Sequence, residues 1–225
     1  MSLLPHNFNI VPFRIRIGVT GHRTISDMAR LNAAVEDILS IRYRAAFTLE
    51  AQNALDKASS TPVAFTVVSP LAEGSDRLVA SAVLRHGGLL EALLPLPRVE
   101  YEKDFRTLES RLEFADLLSQ AQRVAVTDCA VAIGDVDHRQ KAYRLVGEET
   151  VNRCDFLIAI WDGKEPKDSC GTGGIVALAL QKKKPLFILS TASPGAVDLK
   201  NGGILSADFV AELDTCNAIR LGQNA

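Results

Sequence analysis

Short continuous runs of apolar residues alternate along this chain with stretches in which apolar positions recur every three or four residues, the pattern of strands alternating with helices. Arg14 to Thr20 carries β-branched residues at 15, 17 and 19 and stops at Gly21, which predicts a strand entering a tight turn. From Asp27 to about Lys57, Met28, Leu31, Val35, Ile38, Ala45 and Leu49 keep helical spacing. The unbroken run Val63 to Val68 predicts a strand covered on both faces, as in the centre of a parallel sheet. A helix is predicted after Gly74-Ser75-Asp76, ending at His86-Gly87-Gly88, and Leu89 to Leu94 predicts a third strand. Glu102 to Gln122 predicts one helix that buries Phe105, Leu108, Leu112, Ala115 and Leu118. Residues 124 to 134 fit strand or loop, whereas His138 to Asn152 has helical spacing. The clearest strand is Phe156 to Trp161, broken by Asp162-Gly163. Gly171 to Gly174 then opens an apolar helix, Ile175 to Gln181, and Pro185 to Leu189 predicts a further strand. Residues 191 to 205 fit a loop before a terminal helix from about Ala207 to Asn217.

Connections this long exclude hairpins, so the pattern selects an α/β fold: a doubly wound, mostly parallel, Rossmann-like sheet. With 225 residues, no internal repeat and no linker, one domain is expected, its core at about 14–190 and a C-terminal extension at 191–225.

Composition narrows the function classes. The 25 basic and 27 acidic residues leave a formal charge of −2, which argues against nucleic acid as a partner. The absence of an apolar run long enough to cross a bilayer, and a start at Met1 to Asn9 unlike a secretion signal, make the cytoplasm the expected address, with no membrane partner. Four cysteines and four histidines are scattered without metal-like spacing, so reduced thiols and no zinc are expected.

Chemistry is expected where helix N-termini and strand carboxyl ends share one edge of the sheet. Three glycine-containing loops fall there: Gly21-His22-Arg23, Ala72-Glu73-Gly74-Ser75 and Gly171-Thr172-Gly173-Gly174. Glycine allows close backbone approach, and free N–H groups at a helix start attract an anion, so together the loops describe a phosphate cradle. Neither G-x-G-x-x-G nor the P-loop pattern occurs, which makes Arg23 the candidate cation beside the phosphate. Each residue also has a purely structural account. Arg23 would pair with Glu73 or Asp76, His22 would cap a turn, and Ser75 and the glycines would shape turns. Asp76 would answer the helix dipole with Arg77 solvated beside it, and Asp162 would belong to its turn. Asp162 and Asp168 are the residues that would read a ribose hydroxyl or hold Mg²⁺. Trp161 either stacks on a base or caps the core, and Cys170 beside the cradle is either an activated thiol or a bystander.

The set Val19-Thr20-Gly21-His22-Arg23, Ala72-Glu73-Gly74-Ser75-Asp76-Arg77, Asp155 to Gly163 and Gly171-Thr172-Gly173-Gly174 resembles, in that order, the SLOG superfamily. That group includes LOG-type nucleotide hydrolases, the DNA-processing protein A domain and molybdenum-cofactor carrier proteins. The resemblance implies a Rossmann-like sheet whose glycine loops bind a nucleotide or related phosphorylated ligand. It also implies subunits that pair to close the site, making a homo-oligomer. The hydrolases carry a glutamate soon after the glycine loop, and the similar-looking nucleoside deoxyribosyltransferases have G-T-x-x-E. Here Gly171-Thr172 is followed by Gly173, Gly174, Ile175 and Val176, so no carboxylate stands there to stabilise an oxocarbenium-like centre. The expectation is therefore a sensor or carrier that binds a nucleotide-like ligand through Gly21, His22, Arg23, Gly74, Ser75, Asp162, Gly171, Thr172 and Gly173. The alternative is an N-glycosidase that draws its carboxylate from Glu73 or Asp76.

Overall fold

A computed structural model describes residues 13–39, 63–127, 136–164, 171–192 and 197–200. Seven strands form one sheet in the order β4-β3-β2-β1-β5-β6-β7. In chain order these are β1 Phe13–Gly21, β2 Val63–Ser69, β3 Leu89–Leu94, β4 Arg123–Val126, β5 Phe156–Trp161, β6 Leu186–Ser190 and β7 Val197–Lys200. The first six run parallel, and β7 pairs antiparallel with β6. The helices are α1 Met28–Leu39, α2 Ser75–Arg85, α3 Arg98–Tyr101, α4 Leu108–Ser119, α5 Val136–Arg153 and α6 Thr172–Gln181, with a 3₁₀ turn at Glu102–Asp104.

The expected doubly wound, Rossmann-like sheet is what the chain forms. Alternate β5 residues show why its run is unbroken: Phe156, Ile158 and Ile160 join one cluster with Leu31 and Val35 of α1 and Val79 and Val83 of α2. Leu157 and Ala159 face the other way, against Val151 of α5 and Ile175, Val176 and Ala179 of α6. With helices on both faces, alternation of polar and apolar residues along the strand would bury polar groups, and the chain avoids it.

Strand order reverses at β1. The chain leaves β1 towards β2 on one side, then returns across the sheet to place β5 on the other, so Gly18 pairs with Val68 and also with Leu157. Crossovers that diverge in this way open a crevice above the carboxyl ends of β1 and β5.

Two elements differ from the sequence pattern. Glu102 to Gln122 is not one helix, because the Thr107 hydroxyl accepts the Ser110 amide and starts α4 there. That phase leaves Leu108 and Leu112 exposed at 67% and 61% and buries Phe114 and Leu117 beside the expected Phe105 and Leu118. Residues 191 to 205, expected to be a loop, include β7. The helix expected over 27–57 is observed as far as Leu39; its remainder, residues 128–135 and the terminal helix at 207–217 lie outside the described residues. Among the described residues, no helix is long and apolar enough to cross a membrane.

Candidate functional site

Above the carboxyl ends of β1, β2 and β5 lies a cavity of about 600 Å³, a volume suited to a nucleotide-sized ligand. All three glycine-containing loops reach it. The β1 loop contributes Gly21, His22 and Arg23, the β2 loop Ala72 and Asp76, and the start of α6 contributes Gly171, Thr172 and Gly173. The far wall is built by Tyr101 of α3 and Tyr143, Val146 and Gly147 of α5, with Trp161 and Asp162 at the end of β5.

The α6 end is built for an anion. Gly171 is its N-cap in an extended conformation and supplies no side-chain cap, and the first bond within the helix runs from the Ile175 amide to the Gly171 carbonyl. The amides of Thr172, Gly173 and Gly174 therefore have no acceptor within the helix, and they have none elsewhere among the described residues. They stand at the positive end of the helix dipole and open into the cavity at Thr172 and Gly173.

Arg23 is 44% exposed at the cavity rim, its guanidinium 5.8 Å from the centre of the Tyr143 ring. Its acidic neighbour is neither Glu73 nor Asp76 but Asp104, at 3.8 Å. Asp104 also accepts from Arg139 at 2.5 Å and from the Tyr143 hydroxyl, so Arg23 holds the outer place in a network centred on that carboxylate. Burial, with Asp104 second, pushes the Tyr143 phenol up to about 12. His22 Nε2 lies 3.2 Å from the Asp162 amide nitrogen, whose N–H it accepts when neutral, and 3.3 Å from a carboxylate oxygen of the same residue, to which it donates when protonated. Asp162 is engaged by Lys164 as well, whose ammonium lies 2.9 Å away and holds the carboxyl down at about 2.

Asp76 is the chemically distinctive group. It is 5% exposed at the start of α2, where one oxygen accepts the Ala72 amide at 3.2 Å and the other has no hydrogen-bond partner among the described residues. Desolvation pushes its carboxyl up to about 7, against the opposing pull of the Ala72 amide, Arg23 and Arg77. Tyr101, 1% exposed, lines the same part of the cavity, and its hydroxyl has no partner among the described residues. Burial raises that phenol well above its usual range, with Asp76 the next contributor.

Gly74, Ser75 and Glu73 do not line the cavity. Ser75 is wholly buried and donates both its hydroxyl, at 2.8 Å, and its amide to the His22 carbonyl. Gly74 has φ +79°, and a Cβ there would stand 2.3 Å from the Arg23 carbonyl oxygen, so its glycine serves the junction between two loops. Glu73 accepts from the Ser110 hydroxyl of α4, directed away from the cavity. Arg77 is not solvated: it is 1% exposed, 4.4 Å from the Phe105 ring centre, and donates to Leu71, Ser110 and Glu113. Asp168 and Cys170 lie outside the described residues, and among those described no three His, Cys, Asp or Glu side chains converge as a metal site would require. Tyr101 lines the cavity and Asp104 and Arg139 form the network beside it, and residue spacing singled out none of the three. They come from α3, the 3₁₀ turn and α5, brought over the β1 loop by packing rather than by any local motif.

No protein-family model and no curated relative matches the chain by sequence. Its fold is similar to that of DNA processing protein A from Streptococcus pneumoniae, at 17% identity and a TM-score of 0.47 over 89% of this chain and 56% of that one. It is similar also to DNA processing protein A from Helicobacter pylori, at 15% identity and a TM-score of 0.43 over 94% of this chain and 74% of that one. The chain spans just over half the length of the Streptococcus pneumoniae protein. The exclusion of nucleic acid drawn from the charge balance does not stand, because the Helicobacter pylori protein is described by its single-stranded DNA binding mode. A charge summed over a whole chain is silent about how Arg and Lys are distributed over one face, which is what a phosphate backbone senses.

Proposed function

We propose that the cavity binds a nucleotide or related phosphorylated ligand, with its phosphate on the α6 N-terminus and Arg23 beside it, and that the chain acts as a sensor or carrier. The observation that carries this reading is the trio of unpaired amides at Thr172, Gly173 and Gly174, the first two in residues that line a cavity at the point where strand order reverses. Arg23 supports it as a cation that is half exposed and loosely paired, free to trade Asp104 for a phosphate oxygen. A nucleotide within a single strand presents the same phosphate chemistry. Calorimetric titration with nucleoside mono-, di- and triphosphates, inorganic phosphate and a short oligonucleotide tests the reading; saturable binding that inorganic phosphate competes away supports it, and no binding by any of them ends it.

Asp76 favours a second reading, an N-glycosidase acting on a nucleotide. A carboxyl buried in the cavity and pushed up to about 7 is poised to give or take a proton near neutral pH. Glu73, committed to Ser110, has no part in it. Release of free base from a bound nucleotide over hours, abolished in Asp76→Asn, supports this reading; binding without release supports the sensor or carrier.

A further inference from the structure

Resting on the reading of the cavity as a nucleotide site, we infer that Asp76 and Tyr101 form its sugar-recognising pole, which selects ligands carrying a ribose 2′-hydroxyl over their 2′-deoxy counterparts. Both side chains are more than nine-tenths buried, line the cavity and offer it polar atoms with no partner among the described residues. Buried polar groups cost free energy unless paired, so the open Asp76 oxygen and the Tyr101 hydroxyl amount to a site waiting for complementary donors and acceptors. A carboxylate oxygen accepts from a hydroxyl, and a phenol both donates and accepts; vicinal sugar hydroxyls match that pair, whereas a phosphate is repelled by it.

Placement agrees with this. Asp76 follows β2 and the amides of α6 follow β5, with β1 between them in the sheet. Two strand spacings amount to roughly 9–10 Å, the span of a phosphate and its sugar with a hydrogen bond at each end. Arg23 reaches the cavity from the β1 loop, between the two poles. The polarity of the cavity therefore orients a sugar phosphate in one direction: phosphate towards β5, hydroxyls towards β2.

The test is equilibrium binding of the four ribonucleoside 5′-monophosphates, their 2′-deoxy counterparts and inorganic phosphate to the whole chain. The wild-type protein is expected to hold the best ribonucleotide about tenfold more tightly than its deoxy partner, the worth of one charge-assisted hydrogen bond. In Asp76→Asn and in Tyr101→Phe, both nearly isosteric, that ratio should fall towards one while inorganic phosphate binds as before. Equal affinity of the wild-type protein for ribose and deoxyribose forms overturns the sugar assignment and leaves the phosphate site standing, as does a ratio unchanged in both variants. Failure of inorganic phosphate and of every monophosphate to bind overturns the nucleotide reading itself.

Discussion

Replacing Thr172 by proline removes one hydrogen-bond donor from the α6 N-terminus without disturbing the helix. Thr172 is the first helical residue, where the amide has no partner within the helix and the fixed φ of proline is preorganised. The residue before a proline must be extended, and Gly171 already is, at φ −80° and ψ 173°. Stability should therefore change by less than about 1 kcal/mol, or roughly 2–4 °C in Tm for a chain of this size. Binding should change far more. An amide hydrogen bond to an anionic phosphate contributes roughly 1.5–3 kcal/mol, so the dissociation constant should rise by a factor of about 10 to 150. Thr172→Ala keeps the amide and loses the hydroxyl, so the difference between the two variants isolates the backbone donor. The assay is calorimetric titration of the best monophosphate, with circular dichroism to confirm folding. A folded Thr172→Pro protein that binds the monophosphate as tightly as Thr172→Ala would refute the claim that these amides hold the phosphate.

Asp76 should make folding stability depend on pH. Its folded pKa of about 7 lies above the ordinary 3.8, so between those values the native state binds a proton that the unfolded state has released. The group's contribution is therefore fully present below about pH 4 and is lost as pH rises through 7, a swing on the order of 4 kcal/mol. Urea midpoints should show Asp76→Asn gaining on wild type between pH 5 and pH 8, and parallel profiles would contradict the burial argument. Arg77→Ala should cost about 3 kcal/mol in urea unfolding, because it strands the Leu71 and Ser110 carbonyls and empties the space beside Phe105; a loss below 1 kcal/mol would mean that water replaces the guanidinium. Gly21→Ala places a Cβ 2.3 Å from Ser75 Oγ and 2.8 Å from the Ile160 carbonyl oxygen, so it should destabilise by about 1–3 kcal/mol, measured by the same unfolding; an unchanged midpoint would show that the loop yields.

The strands were legible in the sequence because a parallel sheet covered on both faces demands continuous apolar runs, and β2, β3 and β5 meet that demand within a residue of the expected bounds. Helix phase was less so. In α4 one hydroxyl, that of Thr107, decides where the first turn begins, and a start after Thr107 rotates Leu108 and Leu112 into solvent. Among the candidate site residues, spacing located the loops but not the direction in which each side chain points. Ser75 and Glu73 sit in the same loop region as Asp76, yet two turn inward to carry backbone and α4 contacts and one turns to the cavity. Arg77 next to Asp76 reads as a surface cation, and only the packing of Phe105 and Phe114 over the β2 loop explains why a charge lies buried there. Tyr101 and Asp104 belong to a short irregular segment with no periodicity to betray them.

The junction at Gly74 braces the β1 loop from behind, so the two sides of the cavity are built of unlike material. Carbonyls of the β1 loop press against a residue that can only be glycine, and Ser75 ties the same loop to α2, so this side is main chain locked to main chain and tolerates almost no change of residue. The opposite side is made of side chains from α3 and α5, among which Tyr101 is fixed in the core and Tyr143 is only half-buried. Retuning of such a protein, whether by selection or by design, has one wall open to it: variation in ligand choice among relatives should collect on α5, over a floor that stays the same.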